Sequence, residues 1–201
     1  MLPRLIVFDL DMCAWSPEMY TLSEIPKKTI KGDLNGHGHG VVAAVSDGEH
    51  VRLFPGALHA LQQLHLNKLP GTKCAVASSA DTPHAVKIAK KCLQLLEVVP
   101  GVSVAEVLRT AGGGFDHDGN IQIGRSPPLS SNKSKTHFPR LRDLCEIDYE
   151  HMLFFDDSNW EDNCAIVERH CPGVVAQRTP RGLQVHEFEL GLRKFAERKS
   201  A

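Results

Sequence analysis

Short apolar runs alternate with segments of helical spacing along most of this chain. Nearly continuous apolar runs of this length are typical of strands that are buried on both faces, as in a parallel sheet. The segments between them place apolar residues on one helical stripe or begin with a helix-starting pair such as Thr82-Pro83. The alternation predicts a three-layer α/β fold, in which ligands bind at the carboxyl ends of the strands. The predicted strands cover 5–10, 74–79, 152–157 and 173–177, and the predicted helices cover 56–66, 82–96, 137–145 and 162–170.

Two stretches interrupt the alternation. In residues 16–52, the runs VVAAV and HVRLF flank Ser46-Asp47-Gly48, which predicts a β-hairpin. We expect this insert to leave the first strand beside the site and to form a small cap over it. In residues 112–135, GGGFDHDGNIQIG is followed by the polar SPPLSSNKSK, which predicts a second hairpin and a loop. With these two inserts, residues 1–201 are expected to form one domain.

The composition narrows the function classes. The 201 residues are 42% hydrophobic, which is enough for a sizeable core, and the net charge of -1 indicates neither a basic nucleic-acid footprint nor an acidic tail. Asp9 and Asp11 interrupt the apolar start too early for a signal peptide. No apolar run approaches the roughly 20 residues of a membrane span. We therefore expect neither nucleic acid nor a membrane as a partner.

The six cysteines are scattered along the chain and contain no CxxC pair. This distribution of cysteines argues against a structural zinc site. It also indicates a reducing compartment, so we expect a cytoplasmic protein. His37 and His39 have no Cys or acid nearby at ligand spacing, which favours a flexible loop over a transition-metal site.

Paired carboxylates follow two of the predicted strands. Asp9 and Asp11 end the first run, and because they are two residues apart, their side chains project from one face of an extended segment. Asp156 and Asp157 end the run MLFF in a similar way. A single acid commonly does no more than terminate a strand, but two pairs at one edge need a counter-ion. Because carboxylate oxygens suit Mg²⁺, the pattern predicts a magnesium site.

A strand that ends in hydroxyl groups and a loop that contains lysines complete the candidate set. Ser78 and Ser79 can donate hydrogen bonds to an anion, although a helix cap before Pro83 explains them equally well. In SNKSKTHFPRL, residues 131–141, a lysine before a helix can neutralise a phosphoryl group, although an exposed lysine is commonly plain surface. The order of these elements along the chain favours the functional interpretation.

The order DxD, strand-end Ser, Lys and DD resembles the four motifs of the haloacid dehalogenase superfamily of phosphohydrolases. More narrowly, the chain is similar to the magnesium-dependent phosphatase family. This resemblance covers almost the whole chain and implies a Rossmann-like parallel sheet with a small cap. It is carried by VFDLD (7–11), RLFPG (52–56), VASSADTP (76–83), SKTHFPRL (134–141) and MLFFDDSNWEDN (152–163).

The resemblance implies a role for each acid. Asp9 would be the nucleophile that forms an aspartyl-phosphate, and Asp11 would protonate the leaving oxygen and then activate water. Mg²⁺ would be held by the carboxylates of Asp9 and Asp156 and by the backbone carbonyl of Asp11. Asp157 would orient the waters of the metal or the neighbouring backbone. The acids would therefore supply both the covalent chemistry and the metal site.

The serine and the lysine would hold the phosphoryl group. The resemblance implies that Ser78 binds a phosphoryl oxygen, with Ser79 beside it, and that Lys135 balances charge in the transition state. The lysine of the family lies three residues before a His-Phe pair, a position that is Ser134 in this chain. Lys135 is preferred because the pair Ser-Lys is retained, and Lys133 is the alternative.

Three positions near the predicted site depart from the family pattern. Cys13 stands where Thr or Val is usual, and its thiol invites oxidation. Ser78-Ser79-Ala80 replaces the common Ser-Arg-Thr, so a basic residue near the substrate entrance is missing. Trp15 fits either the pocket wall or the core. These departures bear on substrate preference.

These observations predict a Mg²⁺-dependent phosphomonoester hydrolase with an open crevice, acting on a phosphorylated small molecule or a phosphoprotein. The resemblance suggests phosphotyrosine or sugar-phosphate substrates of the fructosamine type, without choosing between them. A non-catalytic phosphate-binding module of the same fold is the alternative, although a binder has no need of Asp11. A receiver domain that accepts phosphate ranks lower, since its acceptor normally ends a middle strand and not the first.

Overall fold

The computed structural model describes residues 1–198. Within this range, no helix combines the length and the apolar character that crossing a bilayer requires. The strands are β1 (Leu5–Phe8), β2 (Trp15–Ser16), β3 (Lys28–Asp33), β4 (His39–Ser46), β5 (Glu49–Leu53), β6 (Lys73–Ser78), β7 (Glu97–Val99), β8 (Val102–Ser103), β9 (Ile121–Ile123), β10 (Met152–Asp156) and β11 (Val175–Arg178). The helices are α1 (Pro55–His65), α2 (Pro83–Leu95), α3 (Val104–Thr110), α4 (His137–Cys145), α5 (Asn163–His170) and α6 (Val185–Arg198).

The central sheet of the described residues has five parallel strands in the order β11-β10-β1-β6-β9. Strand β1 lies between β10 and β6, with Phe8 opposite both Phe155 and Val76. The carboxyl ends of these three strands therefore meet at one edge of the sheet. The predicted α/β fold with a Rossmann-like parallel sheet is confirmed.

Helices cover both faces of this sheet, which explains the continuous apolar runs. In β1, Ile6 and Phe8 belong to one core cluster and Leu5 and Val7 belong to the other, and all four are buried. Because successive side chains of a strand point to opposite faces, a strand in the middle layer must be apolar throughout. Helices α1, α2, α3 and α6 contribute to the first cluster, and α4 and α5 contribute to the second.

The hairpin predicted in the first insert is present. Strands β4 and β5 pair antiparallel around Asp47 and Gly48, whose φ angles of 47° and 85° suit a two-residue hairpin turn. Strands β3 and β2 extend the pair into a sheet with the order β2-β5-β4-β3. Gln62 of α1 donates to the carbonyls of Leu34 and Val98 at 2.9 and 3.0 Å, which ties this sheet to the body of the domain.

The hairpin predicted within residues 112–135 is wrong. Its apolar residues form β9, which joins the edge of the central sheet parallel to β6. The buried Asn120 holds this short strand in place by donating to the Cys74 carbonyl at 3.0 Å. Because a parallel partner lies far away in the sequence, the local turn residues carry no signal of it.

All six cysteines lie in the described residues, and each is a buried free thiol. Burial raises the pKa of the Cys13 thiol, and the Thr179 hydroxyl donates to its sulfur at 3.3 Å. Since the thiolate is the reactive form, burial protects Cys13 from the oxidation that its position suggested.

Candidate active site

A cavity of about 720 Å³ opens at the carboxyl edge of the central sheet, beyond β1, β6 and β10. Open α/β sheets bind ligands at this edge, so the position agrees with the prediction. Loops that follow the strands supply its walls. The lining residues are Asp9, Asp11, Glu18, Tyr20, Ser78, Ser79, Ala80, Asp81, Arg125, Ser131, Lys133, Asp157, Trp160, Glu161 and Asn163.

Three carboxylates and one ammonium group form the floor of the cavity. Carboxylate oxygens of Asp9, Asp156 and Asp157 all lie within 4.8 Å of one another. Lys133 Nζ lies 2.7 Å from Asp9 Oδ1 and 2.6 Å from Asp156 Oδ2. None of these four residues is more than 7% exposed. We call Asp9, Lys133, Asp156 and Asp157 the floor, where one positive charge faces three carboxylates.

The surplus of carboxylates changes the protonation of the floor. Burial raises the pKa of Asp157 to about 6, and the neighbouring Asp156 adds to the shift. Burial also raises the pKa of Asp9, against the opposing effect of the Lys133 ammonium. For Lys133, burial lowers the pKa, but the two carboxylates raise it by more, so the ammonium stays charged. A divalent cation would balance the surplus negative charge, and these oxygen donors fit Mg²⁺.

The chain after β10 orients Asp156. Its Oδ1 accepts hydrogen bonds from the Ser158 N–H at 2.7 Å and from Asn163 Nδ2 at 3.4 Å. Ser158 has a φ of 51°, a left-handed conformation that is uncommon for residues other than glycine. One oxygen of Asp156 is therefore held by protein N–H groups, while the other contacts Lys133.

Two N–H groups hold the carboxylate of Asp11 at the side of the cavity. Trp15 Nε1 donates to Asp11 Oδ1 at 2.9 Å, and the Met19 N–H donates to Oδ2 at 2.9 Å. Burial raises the pKa of Asp11 to about 6, although both hydrogen bonds favour the charged form. Trp15 is fully buried, so it belongs to the core and positions Asp11 through its indole N–H.

Ser78 and Ser79 build the wall of the cavity beside β6, and we call these two residues the serine wall. The Ser78 carbonyl accepts hydrogen bonds from the Gly124 N–H at 2.9 Å and from His137 Nε2 at 3.1 Å. Ser79 Oγ donates to the Ser131 carbonyl at 3.2 Å. These contacts join the loop after β6 to the loop after β9 and to α4, so the backbone of this wall is fixed.

Side chains from several connecting segments surround the opening, and most of them are exposed. Trp160 is 81% exposed, and its Nε1 donates to Glu18 Oε1 at 3.3 Å. Tyr20 is 51% exposed. Arg125 is exposed, and its Nε donates to the Ser79 carbonyl at 3.1 Å. We call Glu18, Tyr20, Asp81, Arg125, Trp160 and Glu161 the mouth.

A comparison over nearly the whole chain decides its family. Residues 1–198 match the family model described as Acid Phosphatase. The chain belongs to the acid phosphatase family. A solved structure similar to it is the N-terminal part of a Bacteroides fragilis protein, containing a phosphatase domain complexed with Mg, with a TM-score of 0.49 and 14% sequence identity. The alignment covers 98% of this chain and 39% of that chain. No curated protein matches this chain.

In this acid phosphatase family member, the lysine at the floor is Lys133, and the preference for Lys135 is wrong. Asn132 Oδ1 accepts hydrogen bonds from the N–H groups of Ser134 and Lys135, which forms a tight turn before α4. This turn places Lys133 inside, where it is 3% exposed, and leaves Lys135 exposed and outside the cavity lining. The retained Ser-Lys pair was therefore a poor guide, because the turn decides which lysine is buried.

The other predicted residues converge on this cavity. Asp157 is part of the carboxylate cluster, whereas sequence reasoning gave it only an orienting role. The carboxylate of Asp11 lies outside that cluster, so its assignment to the metal depends on its backbone carbonyl and stays a prediction. The predicted residues that line the cavity are Asp9, Asp11, Ser78, Ser79 and Asp157, together with Lys133, which was the alternative lysine.

The hairpin strands within the insert of residues 16–52 supply none of the described residues that line the cavity of this family member. From this insert, Glu18 and Tyr20 are the described residues that line the cavity, and both precede β3. The hairpin strands lie elsewhere because β4 is tied to β7, where the Val41 N–H donates to Glu97 Oε2 at 2.8 Å. A small cap formed by this insert stays a prediction, to which the described structure contributes Glu18 and Tyr20 at the mouth. Sequence reasoning missed the mouth, since exposed loop residues carry no periodicity.

Proposed function

We propose that this chain is a Mg²⁺-dependent phosphomonoester hydrolase that works through an aspartyl-phosphate intermediate. The observation that carries the proposal is the floor, where Lys133 contacts both Asp9 and Asp156 beside a third carboxylate, at the bottom of an open cavity. Membership of the acid phosphatase family supports it. The roles of individual residues are derived from their contacts.

Asp9 is the proposed nucleophile. It follows the central strand directly, and its N–H donates to the Phe155 carbonyl at 2.9 Å, which ties the backbone under the carboxylate to β10. One carboxylate oxygen attacks phosphorus, and the bond from phosphorus to the leaving oxygen breaks. The covalent step divides one difficult displacement into two easier ones.

Asp11 is the proposed general acid and base. In the first step it gives a proton to the leaving oxygen, and in the second it takes a proton from the water that attacks the aspartyl-phosphate. Efficient proton transfer needs a pKa near the working pH, and a pKa of about 6 meets this condition. The hydrogen bonds from Trp15 and Met19 keep the carboxyl group at the cavity side.

The floor and the serine wall are proposed to bind the transferred group. Asp9, Asp156 and Asp157 would hold Mg²⁺, with the carbonyl of Asp11 as a further ligand. Bound Mg²⁺ supplies positive charge that keeps these carboxylates ionised and polarises phosphoryl oxygens. Lys133 places a second positive charge beside Asp9, where negative charge develops in the transition state. Residues Ser78 and Ser79 are proposed to donate hydrogen bonds to phosphoryl oxygens.

The substrate is proposed to be a phosphorylated small molecule or a phosphoprotein, with phosphotyrosine or a fructosamine-type sugar phosphate as the specific candidates. The open mouth supports this range, because the hairpin strands of the insert supply none of the described lining residues. The exposed Tyr20 and Trp160 offer apolar surface for a ring on the leaving group.

The test is the hydrolysis of para-nitrophenyl phosphate with and without Mg²⁺. We expect turnover that depends on Mg²⁺ and falls by at least about 10³-fold in Asp9→Asn, since the nucleophile is lost. Asp116→Asn is the matched control, because the side chain of Asp116 is 98% exposed and lies outside the cavity lining. Equal turnover by Asp9→Asn would refute the nucleophile assignment, and no turnover by the wild type over a broad substrate panel would favour a phosphate-binding module.

A further inference from the structure

Arg125 is a cation at the mouth that has no acidic partner. Its Nε donates to the Ser79 carbonyl, and no carboxylate oxygen of the described residues lies within the 4.0 Å limit of an ion pair. Glu18, Asp81 and Glu161 line the same cavity, so acids are near but do not neutralise it. An arginine keeps its charge under all ordinary conditions.

One hydrogen bond holds the guanidinium, and a backbone hydrogen bond holds the residue before it. The Gly124 N–H donates to the Ser78 carbonyl at 2.9 Å, and the next residue, Arg125, contacts the Ser79 carbonyl at 3.1 Å. The loop after β9 is thereby attached to the serine wall. Because Nε is occupied, the two terminal amino groups form the end of the fork that can meet a ligand, and two parallel hydrogen bonds to one carboxylate suit that end.

The depth of the cavity decides which part of a substrate can reach Arg125. Reaction requires phosphorus to contact Asp9, which is buried at the floor beside Lys133. Arg125 is exposed and belongs to the mouth. The group that meets Arg125 therefore lies on the leaving-group side of the phosphoester. The three carboxylates of the mouth disfavour a dianion there, so a singly charged carboxylate is the better match.

We infer that Arg125 is a specificity-determining residue, which binds a carboxylate carried by the leaving group of the substrate. This inference rests on the proposed phosphomonoester hydrolysis and names a feature of the substrate that this reaction would select. A neutral leaving group reaches the floor without contacting Arg125 and gains nothing from it.

Binding of two phosphonates, which cannot be hydrolysed, tests the inference without relying on turnover. The pair is 4-carboxybenzylphosphonate and 4-carbamoylbenzylphosphonate, which have nearly the same shape and differ in charge. With Mg²⁺ present, we expect calorimetry to show about tenfold tighter binding of the carboxylate by the wild type, as for one charge-assisted bidentate contact. Arg125→Gln should remove this preference and leave the affinity for the carboxamide unchanged within about twofold.

Arg193→Gln is the matched control, because Arg193 is an exposed arginine on α6 outside the cavity lining. This variant should keep the preference for the carboxylate. Equal affinities of the wild type for both phosphonates, absence of binding by either, or an equal loss for both in Arg125→Gln would overturn the inference. A clear preference for the carboxylate in a protein that hydrolyses no member of a broad panel of phosphomonoesters would support the carboxylate-binding role of Arg125 and reject the proposed hydrolysis, so the two failures are distinguishable.

Discussion

The floor and the mouth of the cavity are built in opposite ways. At the floor, Asp9, Lys133 and Asp156 are joined by ion pairs of 2.7 and 2.6 Å and are almost inaccessible to solvent. At the mouth, Tyr20 and Trp160 are 51% and 81% exposed, and they belong to a short 3₁₀ helix and to a loop, respectively. A buried ionic floor couples chemistry to stability, whereas an exposed mouth can change substrate preference at little cost to the fold.

The largest expected effect is a loss of stability and turnover on substitution of Lys133, which the same substitution of Lys135 should not cause. Lys133→Met leaves Asp9 and Asp156 buried without their cation, so in the absence of Mg²⁺ we expect a loss of about 3–5 kcal/mol in the free energy of unfolding. Turnover of para-nitrophenyl phosphate should fall by at least about 10²-fold. Urea unfolding and steady-state kinetics measure the two effects. Lys135→Met should change the stability by no more than about 0.5 kcal/mol, and a larger loss there than at Lys133 would contradict the assignment.

The next effect concerns Asp11, which lies between floor and mouth. Asp11→Asn removes the proposed acid and base, so turnover should fall by about 10²–10⁴-fold. With para-nitrophenyl phosphate, the leaving group departs as a stable phenolate without the acid, whereas the second step still needs the base. The variant should therefore accumulate protein whose mass is increased by one phosphoryl group, detectable by intact-protein mass spectrometry. Asp116→Asn should show neither effect. Full turnover by Asp11→Asn would exclude this residue from proton transfer.

The third effect is a pH dependence of the free energy of unfolding. It comes from His137, which donates to the Ser78 carbonyl. Burial lowers the pKa of His137 from 6.5 to about 4, so the folded protein binds fewer protons than the unfolded chain between these values. This contribution to stability is complete above about pH 6.5 and is lost as the pH falls toward about 4, on the order of 3 kcal/mol in all. Urea unfolding across this range should show a smaller acid loss in His137→Gln than in the wild type. His186→Gln, at an exposed site on α6, should match the wild type.

The smallest effect compares the two tryptophans. Trp15→Phe removes the N–H that stabilises the charged form of Asp11, so the pKa of Asp11 rises further. Since the first step needs Asp11 protonated, the alkaline limb of kcat/KM should move to higher pH by about one unit. Trp160→Phe, at the mouth, should leave that limb in place and the stability within about 0.5 kcal/mol. An equal shift in both variants would contradict the positioning role of Trp15.

The floor was largely predictable because strand ends are visible in sequence. The acids at the ends of β1 and β10 follow apolar runs, and parallel pairing of neighbouring strands brings them together. The lysine was not predictable in the same way, since the Asn132 turn decides whether Lys133 or Lys135 faces inward. The two lysines are two residues apart in a polar loop, so the hydrophobic pattern of the sequence is nearly the same whichever lysine is buried.

Two elements of the fold, α6 and β9, were not predicted, and only α6 has a recognisable pattern in the sequence. Helix α6 was overlooked although Phe188, Leu192 and Phe195 follow helical spacing and pack on the core. Strand β9 is only three residues long, and its partner β6 lies far away in the sequence. With β9 mistaken for half of a hairpin, nothing in the sequence indicated that Arg125 reaches the serine wall.

The sequence by itself determined the layered fold, the edge at which the site lies and the presence of clustered acids, because burial and periodicity are local properties of the chain. Only the tertiary structure decided that Lys133 pairs with Asp9 and Asp156, that the hairpin strands lie away from the cavity lining and that Arg125 belongs to the mouth. Each of these depends on a turn or on a pairing between distant segments. Such contacts are selected by the packing of the whole domain, and therefore no single stretch of the sequence encodes them.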